Sequence, residues 1–144
     1  MQFLKKSKSN QDKSSGKGIE GTRVLVIEDE EAIRNVITIM LEKEGCKITT
    51  AQNGKEAMKK FSTANYDIII TDMAMPEKNG VDTIIELRQL TPPVGIIAMS
   101  GVGSSDKLLR LATAFDADMA LKKPFTRDEL VSAIKMVIKK IQRD

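Results

Sequence analysis

Histidine is absent from all 144 residues of this chain. That excludes serine–histidine and cysteine–histidine catalysis, histidine-ligated metals and any phosphohistidine of its own. The single cysteine, Cys46, excludes an internal disulfide and a multi-cysteine zinc site. Its place in an expected strand marks it as a buried, inert thiol. No apolar run is long enough to cross a bilayer. Residues 1–21 carry lysines but no apolar centre, so they do not form a secretory signal, and a cytoplasmic setting is expected. An excess of one charge sign is missing too, except at the start. The net charge of +3 resides in residues 1–22, where Lys5, Lys6, Lys8, Lys13 and Lys17 face only Asp12 and Glu20. The other 122 residues carry 18 basic and 18 acidic side chains. They offer no broad electropositive field to a phosphate backbone, so direct nucleic-acid binding is not expected.

The chain is long enough for one domain with a real core. Residues 1–21 have Phe3, Leu4 and Ile19 as their only large apolar groups, too few to offset chain entropy, so they are expected to form a disordered basic tail. From residue 22 to 144 the texture is that of a folded domain. Strands are expected at Arg23–Glu28, Lys47–Ala51, Asp67–Asp72, Gly95–Ser100 and Met119–Lys122. Helices are expected at Glu30–Glu44, Gly54–Thr63, Gly80–Leu90, Ser105–Phe115 and Arg127–Ile141. Ile33, Ile37, Met40 and Leu41 in the first helix, and Leu130, Ile134, Val137, Ile138 and Ile141 in the last, recur at helical spacing. Thr126 with Glu129 is a capping box. Met40, Met58, Met99 and Met136 read as core filler. Five strands alternating with five helices imply an α/β fold, a doubly wound parallel sheet covered on both faces.

In such sheets ligands bind beyond the carboxyl ends of the strands. Glu28, Asp29, Asp72, Ser100 and Lys123 all fall at or just after those ends. Asp72 closes the nearly apolar run Tyr66–Asp72, and Glu28-Asp29 closes Val24–Ile27. Carboxylates gathered in one pocket repel and need a cation or a proton. Glu28, Asp29 and Asp72, with the backbone carbonyl of Ala74, suit a hard divalent ion. Mg²⁺ fits best, because it accepts a few carboxylates, keeps waters and leaves room for a phosphate oxygen. A cation beside Asp72 would also let its carboxylate attack phosphorus. Lys123 offers a fixed positive charge for the equatorial oxygens, and Ser100, followed by Gly101, offers a hydroxyl.

The order Glu28-Asp29, Asp72 with Met75-Pro76 and Gly80, Ser100-Gly101 and Lys123-Pro124-Phe125 resembles the receiver domain of two-component response regulators, over about residues 22–142. The resemblance implies a flavodoxin-like five-stranded sheet of order 2-1-3-4-5 and a stand-alone signalling module rather than an enzyme. It implies Asp72 as phosphoacceptor, Asp29 as the principal metal ligand helped by Glu28 and the Ala74 carbonyl, Ser100 as switch hydroxyl and Lys123 as phosphoryl contact. Mg²⁺ would be the cofactor, and a histidine kinase or histidine phosphotransfer protein the donor. A downstream protein would dock on the face formed by the fourth helix, fifth strand and fifth helix.

Three departures stand out. Glu28 takes a place often held by aspartate. Ala120 stands where an aromatic commonly changes rotamer with the switch hydroxyl, so that device is lost. Ala74 is too small to shield an acyl phosphate from water. Rival chemistries fare worse. A haloacid dehalogenase-like hydrolase and a Toprim-like nuclease both want an acid at residue 74. A dinucleotide enzyme wants a glycine-rich turn where Glu28-Asp29-Glu30 stands. A phosphorylation-independent interaction domain of the same fold is the remaining alternative; it predicts lost acids, and none is lost.

Overall fold

The apolar runs become five short strands: β1 (Arg23–Ile27), β2 (Lys47–Ala51), β3 (Ile68–Asp72), β4 (Gly95–Ser100) and β5 (Met119–Lys122). The structure is a computed structural model, and it describes residues 18–73, 80–90, 94–101, 110, 114 and 116–143. The strands form one sheet in the order β2-β1-β3-β4-β5, every neighbouring pair parallel. This is the doubly wound, flavodoxin-like arrangement expected. The described residues contain four helices, α1 (Glu31–Glu42), α2 (Gly54–Phe61), α3 (Gly80–Leu90) and α4 (Arg127–Arg143). The fifth expected helix, Ser105–Phe115, lies mostly outside the described residues, although Arg110 and Ala114 are helical.

The central strands read as unbroken apolar runs because the sheet is buried on both faces. Successive side chains alternate between two cores. Val24, Val26, Ile68, Ile70, Ile97 and Met99 pack with Ile37 and Leu41 of α1 and Leu130, Ile134 and Val137 of α4. Leu25, Ile27, Ile69, Ile96 and Ala98 pack with Ala57 of α2 and Ile84 and Leu87 of α3.

Helix starts follow the local chemistry. The Thr126–Glu129 capping box forms in both directions: Glu129 N donates to Thr126 Oγ1 at 3.1 Å and Thr126 N to Glu129 Oε1 at 2.8 Å. Asn53 caps α2 by accepting from Glu56 N at 2.8 Å. Glu30 occupies the N-cap of α1 with no side-chain cap bond.

Two positions differ from the sequence reading. Ile19 is only 1% exposed and joins the α1 and α4 core, so packing begins inside the segment assigned to the basic tail. One apolar side chain suffices there, because Gly21 N and Thr22 N find the carbonyls of Gly45 and Ile19. Met136 is 58% exposed. The stripe through Leu130, Ile134 and Val137 turns the core side of α4 away from it. Cys46 is buried, one residue ahead of β2. Burial and the neighbouring Glu44 push its thiol up to about 11, which fits the inert role.

Opposite elements are tied by a charge cluster that sequence pattern did not suggest. Asp118 accepts from Arg88 Nη2 at 2.5 Å, Lys140 Nζ at 2.9 Å and Ile96 N at 2.8 Å. Arg88 also donates to the carbonyls of Val94 and Asp116. Burial works to raise the Asp118 carboxyl, but the bonds from Ile96, Lys140 and Arg88 prevail and hold it below the usual carboxylate range. Asp118→Ala should cost about 3 kcal/mol at neutral pH, because it leaves a largely buried guanidinium without its counter-charge and a strand N–H without its acceptor. A depressed folded-state pKa stabilises above the unfolded value and is lost as pH falls through the folded one. In urea melts the gap between wild type and variant should therefore hold at pH 7 and shrink only below about pH 4. A gap that stays constant into acid would show that the charge of Asp118 is not what stabilises.

Candidate functional site

The parallel sheet delivers three acids to one edge. Glu28 and Asp29 directly follow β1, and Asp72 ends β3, the strand beside it. Carboxylate oxygens of Glu28, Asp29 and Asp72 lie within 4.8 Å of one another. Glu28 is fully buried, Asp72 is buried, and Asp29 is exposed. The cluster is thus open on the Asp29 side and closed beneath.

Lys123, just beyond β5, reaches back over the edge. Its Nζ lies 2.5 Å from Glu28 Oε1 and 3.5 Å from Asp72 Oδ2. Its backbone N donates to Ser100 O at 2.8 Å, so β4 fixes where the lysine leaves the sheet. The Lys123–Pro124 peptide is cis. Lys122 is exposed, as strand alternation required.

The electrostatics follow from crowding. Burial pushes the Glu28 carboxyl up to about 7; the bond from Lys123 opposes this, the charge of Asp72 adds to it, and Glu30 N, donating to Oε2 at 3.2 Å, opposes it again. For Lys123 burial works against the ammonium, but the bond to Glu28 and the charges of Asp72 and Glu28 prevail and raise its pKa. With all three acids ionised, three carboxylates against one ammonium leave a formal charge of −2. Such a group calls for a divalent ion or for protons. The oxygen donor set, open on one side, fits Mg²⁺.

Ser100 ends β4 at 1% exposure, and its Oγ finds no hydrogen-bond partner among the described residues. A buried orphan hydroxyl is costly, and here it stands at the reactive edge. Its strand pairs Met99 with Asp72. Ala74, the expected carbonyl ligand, lies outside the described residues.

Two features escaped the sequence reading. One is the direct ion pair between Lys123 and Glu28, which share no sequence signal across 95 positions. The other is Arg34, whose Nη1 donates to the carbonyls of Glu28 at 2.8 Å and Asp29 at 3.2 Å. A side chain bonded to main chain leaves no residue pattern to find. Beside the site, a groove of about 480 Å³ runs between Ile33, Val36 and Met40 of α1 and the Pro124–Phe125 turn, with Lys123 and Gly101 at its edge.

Comparison with known proteins agrees with this geometry. The family described as the response regulator receiver domain matches residues 24–135. A cell cycle response regulator, CtrA, from Brucella ovis is 34% identical over 119 residues, covering 82% of this chain and 50% of that protein. The chain spans about half the length of the curated relatives it matches. A receiver domain protein from Clostridium thermocellum superposes with a TM-score of 0.76 at 34% identity, covering 83% of this chain and 95% of that one. TrrA, a response regulator of Thermotoga maritima solved in complex with Mg²⁺ and BeF, superposes with a TM-score of 0.72 at 36% identity, covering 81% and 98%.

Proposed function

This chain belongs to the response regulator receiver domain family, signalling modules rather than classical enzymes, and from that premise we propose that Asp72 takes a phosphoryl group in a Mg²⁺-dependent reaction and so switches partner binding. The observation that carries the reading is the convergence of three carboxylate oxygens within 4.8 Å beneath the reach of Lys123.

Glu28, Asp29 and Asp72 would hold the ion, with the Ala74 carbonyl. The chemistry a bound Mg²⁺ supplies is neutralisation of the phosphoryl oxygens. An Asp72 oxygen attacks phosphorus as the bond to the donor nitrogen breaks, and the electron pair departs with that nitrogen. The chain has no histidine, so a phosphohistidine donor must belong to a kinase or phosphotransfer partner. The apolar groove beside Lys123 is a suitable seat for that partner. Lys123 then shifts its contact from Glu28 toward the new phosphoryl oxygens, which outbid one carboxylate for the ammonium. Ser100 Oγ, which has no partner among the described residues, gains one by bonding a phosphoryl oxygen. The move carries the chain after it and biases a two-state equilibrium on the face that includes β5 and α4. With Ala120 on β5, no aromatic rotamer reports the switch, so a downstream protein must read backbone and helix position. Water resets the switch by hydrolysing the acyl phosphate to the free Asp72 carboxylate and inorganic phosphate.

Incubation with acetyl phosphate and Mg²⁺ should add one phosphate by intact mass, and EDTA should prevent it. No adduct under any condition would favour the phosphorylation-independent interaction domain. An adduct insensitive to EDTA would remove the cation from the reaction.

A further inference from the structure

We propose that Arg34 is a positioning residue for the cation site, its guanidinium clamping the carbonyls of Glu28 and Asp29 so that their carboxylates point at the ion. The inference rests on the Mg²⁺ reading above and adds a residue to it. The turn from β1 to α1 is short, Glu28 to Glu30. Sheet bonding ends at Glu28, whose N–H donates to Ala51 O at 3.0 Å. Beyond that, the N-cap Glu30 makes no side-chain cap bond. Arg34 takes over the fastening. One nitrogen, Nη1, donates to both successive carbonyls, at 2.8 Å and 3.2 Å.

The arginine is itself anchored. Its N–H makes an early α1 bond, to Glu30 O at 3.0 Å, and its carbonyl accepts from Thr38 Oγ1 at 2.8 Å. Among the described residues it makes no ion pair with a carboxylate. A guanidinium beside three acids that bonds main chain instead is spent on loop geometry.

The two acids depend on it unequally. The Glu28 side chain is also held by Lys123 and Glu30 N. The Asp29 carboxylate has no hydrogen-bond partner among the described residues and takes its direction from the backbone alone. Asp29 is therefore the ligand whose aim Arg34 sets. A competing account is purely electrostatic: Arg34 would only add positive charge near the acids and so weaken cation binding. The two accounts predict opposite signs.

The test is Mg²⁺ affinity by calorimetric titration of wild type, Arg34→Ala, Arg34→Lys and the exposed control Asn35→Ala, with each melting temperature measured alongside. Losing an outer partner of a metal ligand typically costs at least about 10-fold in affinity. Arg34→Ala and Arg34→Lys should both weaken Mg²⁺ binding by about that factor, because lysine keeps the charge but its shorter, flexible chain does not hold a donor at both carbonyls as the stiff guanidinium does. Asn35→Ala should bind as wild type does. The milder Arg34→Lys keeps the test valid should the alanine variant fail to fold. Binding by Arg34→Lys at wild-type strength, or tighter binding by Arg34→Ala, overturns the clamp and leaves the Mg²⁺ site standing. A melting temperature that drops with Mg²⁺ affinity unchanged reduces Arg34 to a helix anchor and overturns it as well. If wild type itself binds no Mg²⁺, the cation reading falls and takes this inference with it.

Discussion

Asp72→Asn should take up no phosphoryl group from acetyl phosphate and Mg²⁺, as read by intact mass, while keeping its fold. The amide matches the carboxylate in shape but lacks the anionic oxygen that attacks phosphorus. The loss should be complete rather than graded. Glu28 is buried and engaged by Lys123 and Glu30 N, and Asp29 sits at the exposed side of the cluster, so neither replaces a nucleophile at the end of β3. The same change removes one negative charge from a crowded group. Asp72 contributes to raising Glu28, so the metal-free variant should melt at or above the wild-type temperature. A phosphorylated Asp72→Asn protein would move the acceptor to another residue. A collapsed fold would mean that the contacts Asp72 makes, its ion pair with Lys123 among them, outweigh the repulsion its charge adds.

Lys123→Ala should slow phosphoryl capture by about 100-fold to 1,000-fold, the usual effect of losing one preorganised donor to developing charge. The ammonium already stands 3.5 Å from Asp72 Oδ2, so little reorganisation is needed to meet a phosphoryl oxygen there. Mg²⁺ binding should survive, because Glu28 loses a competitor for its oxygen and keeps its place. The metal-free variant should be less stable than wild type, since a buried carboxyl is left without its cation. Added Mg²⁺ should restore much of that difference in a thermal melt by binding the folded state alone. Loss of metal binding in parallel with phosphorylation would instead make Lys123 an organiser of the acids.

Much of the fold was legible in the chain. The runs at Val24–Ile27, Ile68–Ile70 and Gly95–Ser100 announce strands buried on both faces, since only there can a strand dispense with a polar side. The Thr126–Glu129 box and the stripe from Leu130 to Val137 announce α4. Periodicity also misled where it was read too evenly. Met136 is apolar yet outward-facing, and Ile19 is buried although its neighbours are polar, because burial depends on which face meets the sheet and not on local composition. The strand-end acids could be named for a simple reason: a carboxylate that ends a buried strand must emerge at the rim.

The one-dimensional pattern therefore determined the parallel sheet, its two-sided core and the rim on which Glu28, Asp29, Asp72, Ser100 and Lys123 emerge. It did so because side-chain alternation and helix period are local properties. Tertiary structure alone decided that Lys123 rests on Glu28, that Ser100 Oγ has no partner among the described residues, that Arg34 holds the carbonyls below two of the acids, and that Asp118 joins α3, β4 and α4. Those are distances between residues far apart in the chain or between side chain and main chain, and they exist only after the strands have been laid side by side.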